Sequence, residues 1–452
     1  MGYVLGIRRR DPIVLAGEPT LRLGQDTTVI LDERESTPVR VRVPRRSVPD
    51  LGSVGYSRAL PRLTFGSSFI VDRGTPLKAV PTDPVTLGGF TFTTQHGRHS
   101  PRSIQQNYRY DVLPPENGRI PADLDYDLGA DDLARVDNSY HARRPQQEVL
   151  VGKFGFAPGD FSASTFLRPT RVPLQRAEFV STNGVTWGTI VGVGPFRQLA
   201  VFSAAFRAYA PRERVATSWL RQIAGPNLSV RPDLRRYGLP TYRRGNRIFA
   251  VVPEFVDDAG HLGEISSADR SSFGLYGGGR RLTGGEHILL YRGVKVPPDV
   301  GRFRLYLTTE RKTPWWGLST KVKTAWRFVS TPTEGERVTL PLLNPTYDVP
   351  VDRRNRAPDD GRFVFDVTVT PPKGATVSPV HRFRGKASFD GGRTWRFGRT
   401  RTLGGGHYAV ALRHPPKEQT DGFVALKMHA ADDSGNRVWQ SVERAYRLTK
   451  SS

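Results

Sequence analysis

The chain has 452 residues, no cysteine, and 67 Lys and Arg against 43 Asp and Glu, for a formal net charge of +24. The length admits about two to four domains with cores of their own, whereas the missing cysteine excludes disulfides, thiolate nucleophiles and Cys-ligated metals. No apolar run approaches the roughly 20 residues of a membrane span, and 46 Gly with 36 Pro at 37% hydrophobic content predict many turns and several small cores.

A basic excess of this size can attract anionic glycans, nucleic acid or membrane surfaces when it is clustered. Along the sequence it is spread, the densest runs being only Arg8-Arg9-Arg10, Arg45-Arg46, Arg143-Arg144, Arg235-Arg236 and Arg353-Arg354. A solvated basic surface is therefore expected, with a polyanion site as the alternative and no nucleic acid partner.

The opening Met1-Gly2-Tyr3-Val4-Leu5-Gly6-Ile7 leads into three arginines with no apolar h-region behind them. It does not read as a secretory signal. It reads as a strand in mid-domain, so the chain is expected to begin partway through a larger protein. Residues 1–85 predict paired strands at Thr27–Leu31, at the alternating Val39-Arg40-Val41-Arg42-Val43 and at Leu63–Val71, with a charged turn at Asp32-Glu33-Arg34. This stretch is expected to be a β-sandwich, complete or not. Residues 86–210 predict a β-rich domain with strands at Phe90–Thr94, Tyr108–Leu113 and Arg176–Ser181. One short helix is expected from Asp131-Asp132 to Val136, and an Asn-Gly turn within Ser181–Trp187.

Residues 211–350 predict a further β-sandwich, with strands at Arg247–Val252, His287–Tyr291, Arg304–Leu307 and Ala325–Val329. An amphipathic helix is expected at Val215–Ile223, through Val215, Trp219, Leu220 and Ile223. Asn344–Pro350 reads as a linker. Residues 351–452 then carry six strand signals at immunoglobulin-like or fibronectin-III-like spacing. Within them lies Ala387-Ser388-Phe389-Asp390-Gly391-Gly392-Arg393-Thr394-Trp395, which resembles the Asp-box hairpin of secreted β-proteins. Asp390 can accept from the backbone of its own turn and Gly391 and Gly392 supply positive φ; Ser388, Thr394 and Trp395 complete the pattern. No period of the solenoid or propeller kind is present. The fold class expected is all-β, as tandem β-sandwich domains of jelly-roll or immunoglobulin-like type.

Few residues carry chemistry. His96-Gly97-Arg98-His99 is similar to one motif of a serine-protease triad, but no nucleophilic Ser turn or acidic motif accompanies it, so loop histidines are expected. Asp123, Asp125 and Asp127 have the spacing of half a calcium loop, with Leu128 where Gly is needed and Ala134 where Glu is needed. No cofactor is therefore expected. A looser Ca²⁺ site with Asp131 and Asp132 is the alternative, and an acidic surface loop the plain reading. Glu254, Asp257, Asp258 and His261 group three carboxylates with a histidine, either as a hydrolase site or as a solvated turn. Trp315, Trp316 and Trp326 offer a ligand-stacking platform or core packing.

Several stretches together resemble the C-terminal, non-catalytic region of secreted subtilisin-like serine proteases of actinobacteria. They are Asp132–Asp137 with Tyr140-His141-Ala142, Val252-Pro253-Glu254-Phe255, Trp315-Trp316 with Ser319-Thr320 and Thr324-Ala325-Trp326, Leu340–Leu343, Tyr347–Asp352 with Arg354-Asn355-Arg356, and Ala430–Asn436 with Arg444-Ala445-Tyr446. The resemblance implies an extracellular accessory region, partnered by a subtilisin-like protease domain and serving docking to substrate or cell envelope, or stability. It supplies no catalytic residue, since none of the family's triad motifs has a matching position here. A free-standing binding module for anionic or glycan surfaces is the alternative.

Overall fold

In the computed structural model, the described residues are 2–5, 11–21, 24, 26, 28–101, 108–160, 162, 166–228, 241–264, 266–267, 269–299 and 301–451. The arginine runs at 8–10 and 235–236 lie outside them. The described residues are all-β: their only helical turns are 3-10 turns at Glu33–Glu35, Ala130–Asp132, Phe196–Gln198 and Lys417–Gln419. Among them no helix is long and apolar enough to cross a membrane.

Two large sheets dominate the first half. An eight-stranded sheet runs in the order Arg214–Trp219, Leu133–Tyr140, Leu174–Ser181, Tyr108–Val112, Gly89–His99, Val48–Leu60, Leu63–Val71, with Pro115–Asn117 also paired to Gly89–His99. A seven-stranded sheet is built around Gln147–Phe156 and Thr186–Val193. The two are tied by a buried ion cluster. Lys153 Nζ of the seven-stranded sheet lies 2.8 Å from Glu178 Oε2 of the eight-stranded one. Glu178 also accepts from Arg176 Nη2 at 2.6 Å and from the Tyr140 hydroxyl at 2.7 Å. Burial alone would raise the Glu178 carboxyl, but Lys153 and Arg176 outweigh it and hold it well below the usual carboxylate range.

The second half is organised by a nine-stranded sheet. Its order is Arg280–Gly285, Asp269–Gly277, Arg302–Arg311, Lys321–Val329, Arg437–Thr449, Phe423–Asp432, Val380–Ser388, Arg396–Phe397, with Arg356–Pro358 added beside Arg437–Thr449. Period-two alternation fixes which face is buried. In Arg302–Arg311 the side chains of Phe303, Leu305 and Leu307 are buried, whereas Arg302, Arg304 and Tyr306 are exposed. The inner face shares one apolar core with a four-stranded sheet, Asn344–Asp348, Gly361–Thr370, His407–His414 and Arg399–Gly404. Trp326 donates its indole N–H to Leu343 O at 2.9 Å inside that core, and the Tyr347 hydroxyl reaches Gln440 Oε1 at 2.8 Å.

Several expectations are corrected. The predicted helix at 131–136 is one 3-10 turn followed by the strand Leu133–Tyr140, because the burial period of that segment is two. The predicted helix at 215–223 is the strand Arg214–Trp219, paired in parallel with Leu133–Tyr140; Val215 and Thr217 are β-branched and suit a pleated edge. The expected linker holds the strand Asn344–Asp348, which pairs with Gly361–Thr370. Of the first predicted strand, Thr27 lies outside the described residues, and residues 28–31 have no strand partner among them; Ile30 is 83% exposed. The Asn183-Gly184 turn does not close a hairpin but passes the chain from the eight-stranded to the seven-stranded sheet.

Strand pairing crosses all three expected domain boundaries: Val48–Leu60 with Gly89–His99, Leu133–Tyr140 with Arg214–Trp219, and Lys321–Val329 with Arg437–Thr449. Stretches far apart in sequence also meet at one seam. Ala142 N donates to Arg353 O at 2.9 Å, and Asn355 Nδ2 reaches Leu220 O at 3.2 Å.

The ion cluster makes a direct prediction. Glu178→Gln leaves Lys153 and Arg176 buried without a counter-charge, and should lower the unfolding free energy by about 3–5 kcal/mol. The midpoint of urea unfolding measures it.

Candidate functional site

The outward face of the nine-stranded sheet gathers cations that the sequence scatters. Strand register sets them side by side. Arg304 pairs with Arg327, and Arg327 with Arg437. Tyr276 continues this row on one side, and Ala431 with Arg382 on the other. The neighbouring row reads Tyr306, Ala325, Trp439, His429, Arg384. The next reads Thr308, Lys323, Ser441, Lys427, Lys386 and Phe397. With strands about 4.8 Å apart, three successive strands present arginines directly opposite one another, a like-charge arrangement that costs stability.

Arg304, Arg327, Arg437, Arg382 and Arg384 have no ion pair with a carboxylate among the described residues. The acids of this face sit at its margins, where Glu310 pairs with Lys321 and Lys312, and Asp433 with His381. Aromatic rings lie between the cations. Trp439 is 38%, Tyr306 44% and Phe397 64% exposed. Lys427 Nζ lies 4.0 Å from the Trp395 ring centroid and Lys386 Nζ 4.1 Å from that of Phe397. His429 stacks on Trp439 with centroids 4.8 Å apart. Burial, and then Arg437, Arg382 and Arg384, push its pKa down, so the ring is neutral at pH 7.

Trp395 belongs to the Asp-box turn, whose geometry follows from its residues. Ser388 Oγ donates to Asp390 Oδ1 at 2.7 Å, and Gly392 N donates to Ser388 Oγ at 2.9 Å. Thr394 donates through its hydroxyl to Asp390 Oδ2 at 2.6 Å, and Trp395 donates its indole N–H to Gly392 O at 2.9 Å. Gly391 and Gly392 both have positive φ. The turn thus fixes the indole over which Lys427 sits.

The other candidate residues are committed elsewhere. Trp316 and Trp326 are 6% and 1% exposed, so neither is a stacking platform: Trp316 packs on Phe202, and Trp326 fills the core. Trp315 is half-buried beside Trp316 at a small cavity lined also by His141 and Gln222. Asp125 and Asp127 both face Arg42, and Asp123 accepts from the backbone of Asp125. Among the described residues no three His, Asp or Glu side chains converge as metal ligands.

Glu254, Asp257, Asp258 and His261 do not form one site. Glu254 bonds Ser271, His287 and the backbone of Ile288. Asp257 Oδ2 lies 2.9 Å from His261 Nδ1, and that ring stacks on Trp219 at 3.6 Å. His261 Nε2 reaches Thr217 Oγ1 only at 3.4 Å. Asp258 holds Ser218 and Arg221. Each group is spent on joining segments, in neighbourhoods that are nearly closed. The histidines of His96–His99 lie on a strand rather than in a loop, where His99 bonds Arg73 and Ser100 O.

Burial, with Asp257 nearby, pushes the Asp258 carboxyl up to about 7. The unfolded chain therefore releases this proton first, and stability falls as pH rises from about 4 to about 7. Asp258→Asn should flatten that fall, read as urea midpoints at about pH 5 and about pH 7.5.

No protein-family model matches this chain, and no curated protein matches it. Among solved structures it is similar to a Salmonella alpha-2-macroglobulin reacted with methylamine, at 8% identity and a TM-score of 0.22. The match covers 88% of this chain and 31% of the other, so the chain spans about a third of that protein's length.

Proposed function

We propose that this chain is a non-catalytic binding module that holds an anionic glycan across the open face of its nine-stranded sheet. The observation that carries this reading is the row Arg304, Arg327, Arg437, three like charges set opposite one another with no carboxylate paired to them among the described residues. A sheet that needed only solubility would intersperse acids. Exposed Trp439 and Tyr306 in the adjoining row offer flat faces for sugar rings between the charged groups. An open sheet face lacks the projecting helix or ribbon that reads a nucleic acid groove. In the setting that the family resemblance implies, the module acts outside the cell and docks a subtilisin-like protease on envelope polymer.

Heparin serves as the probe. The intact protein should be retained at low salt and released as salt rises. Arg304→Glu with Arg327→Glu should remove most retention with an unchanged circular dichroism spectrum. Arg304→Gln, Arg327→Gln and Arg437→Gln together should reduce the slope of log affinity against log salt by about three. Flow-through of the intact protein at low salt, or equal retention of the variants, would overturn the proposal. Tighter binding of single-stranded DNA than of heparin would replace the glycan reading.

A further inference from the structure

A second feature lies in the first half of the molecule, away from the basic face. A cleft of about 340 Å³ opens between Val39–Val41, the turn Asp72–Leu77, the segment Pro49–Gly52 and the segment His96–Arg98. Its volume lies within the range of small-molecule sites. A bulge creates it. Pro49 pairs with Arg98 and Gly52 with His96, so one extra residue separates the two pairs on the Val48–Leu60 strand. Such bulges break the ladder and re-aim side chains. Here the bulge turns Asp50 toward two arginines. Arg109 Nη1 lies 3.1 Å and Arg168 Nε 2.8 Å from its Oδ2.

The floor beneath the cleft is crowded with charge. Arg109 also holds Asp111 at 2.7 Å, and Arg168 Nη2 donates to Leu51 O at 2.9 Å. Gly97 is glycine for a reason: a Cβ there would meet the guanidinium groups of Arg168 and Arg109. Burial, and then the charge of Arg109, push Arg168 down to about 10 against the pull of Asp111 and Asp50.

Two further arginines stand at the walls. Among the described residues Arg98 bonds only Ser47, through Nε to Oγ at 2.8 Å and Nη2 to O at 3.3 Å. The Arg40 side chain has no hydrogen bond or ion pair among the described residues. Asp72, at the mouth, is the other carboxylate of the lining, and it is exposed. His96 Nε2 is enclosed and has no hydrogen-bond partner among the described residues. Burial, and then Arg98, hold that ring at about 4, so it is neutral. The remaining wall is apolar, made by Val39, Val41, Leu51, Val71 and Leu77.

We infer that this cleft binds a small organic carboxylate with an apolar body. The carboxylate pairs with the guanidinium groups of Arg98 and Arg40, and the apolar part covers the valine and leucine wall. A bare inorganic anion would leave that wall wet, and a cation would face the guanidinium groups of Arg98 and Arg40, which no carboxylate pairs among the described residues.

The test titrates the intact chain calorimetrically with N-acetyl-phenylalanine, its primary amide and acetate. The acid should bind saturably, and the amide and acetate each about tenfold or more weakly, since each lacks one half of the recognised chemistry. Arg98→Gln should weaken the acid about tenfold. Because Arg98 also braces Ser47, the exposed Arg40→Gln is the second variant and should weaken the acid too. The double variant Arg304→Glu, Arg327→Glu should leave this binding unchanged, which separates the cleft from the basic face. Equal binding of acid and amide, no heat with the acid, or indifference to both Arg98→Gln and Arg40→Gln would overturn the inference.

Discussion

The Lys153–Glu178 ion pair is the constraint on which the first half of the molecule depends. Each partner comes from a different sheet, and each is almost fully removed from water. Desolvating two such charges costs several kcal/mol each, which direct attraction offsets only with good geometry and further hydrogen bonds. Arg176 and Tyr140 supply those bonds, and both flank the same carboxylate. A cluster of this kind fixes relative placement better than apolar packing does, because a small slip would strand a buried charge. The arginines below the cleft follow the same logic, with Asp111 and Asp50 as the shared acids.

The basic face is governed by the opposite balance. Its arginines are exposed or half-buried, so solvent screens their repulsion and the sheet tolerates it. The inner face supplies the stability instead: Trp326, Phe303, Phe328, Val438 and Val442 are almost completely buried in one core. That division lets one strand serve two ends. In Arg302–Arg311, alternate residues build the core and the remaining ones build the charged row. The Asp-box turn has a similar double role, since its own hydrogen bonds fix the indole on which Lys427 rests.

Much of the fold was legible in the sequence wherever hydrophobicity alternates. Phe90–Thr94 and Arg304–Leu307 read as strands and lie within strands. The misread segments share a physical cause. Val215–Ile223 has apolar residues at spacings that suit a helix, but its β-branched residues find an open parallel edge on Leu133–Tyr140, and tertiary pairing decides. The aspartates before Leu133 cap a turn instead of a helix for the same reason. Asn344–Asp348 reads as a linker through its Pro and Asn, but it forms an edge strand, a position where Pro is tolerated.

The candidate sites were less legible, because a sheet face is assembled from residues far apart in the chain. Arg304, Arg327 and Arg437 belong to no run of basic residues, and only strand register makes them neighbours. His96 and Arg98 are visible as a motif, but the bulge at Asp50-Leu51 that opens a cleft in front of them is not. The sequence by itself determined the all-β class, the absence of thiol chemistry and the hairpin at Asp390, since these depend on composition, period and local hydrogen bonds. Only the tertiary structure decided which charges meet, because electrostatic attraction and repulsion depend on distance in space and not along the chain.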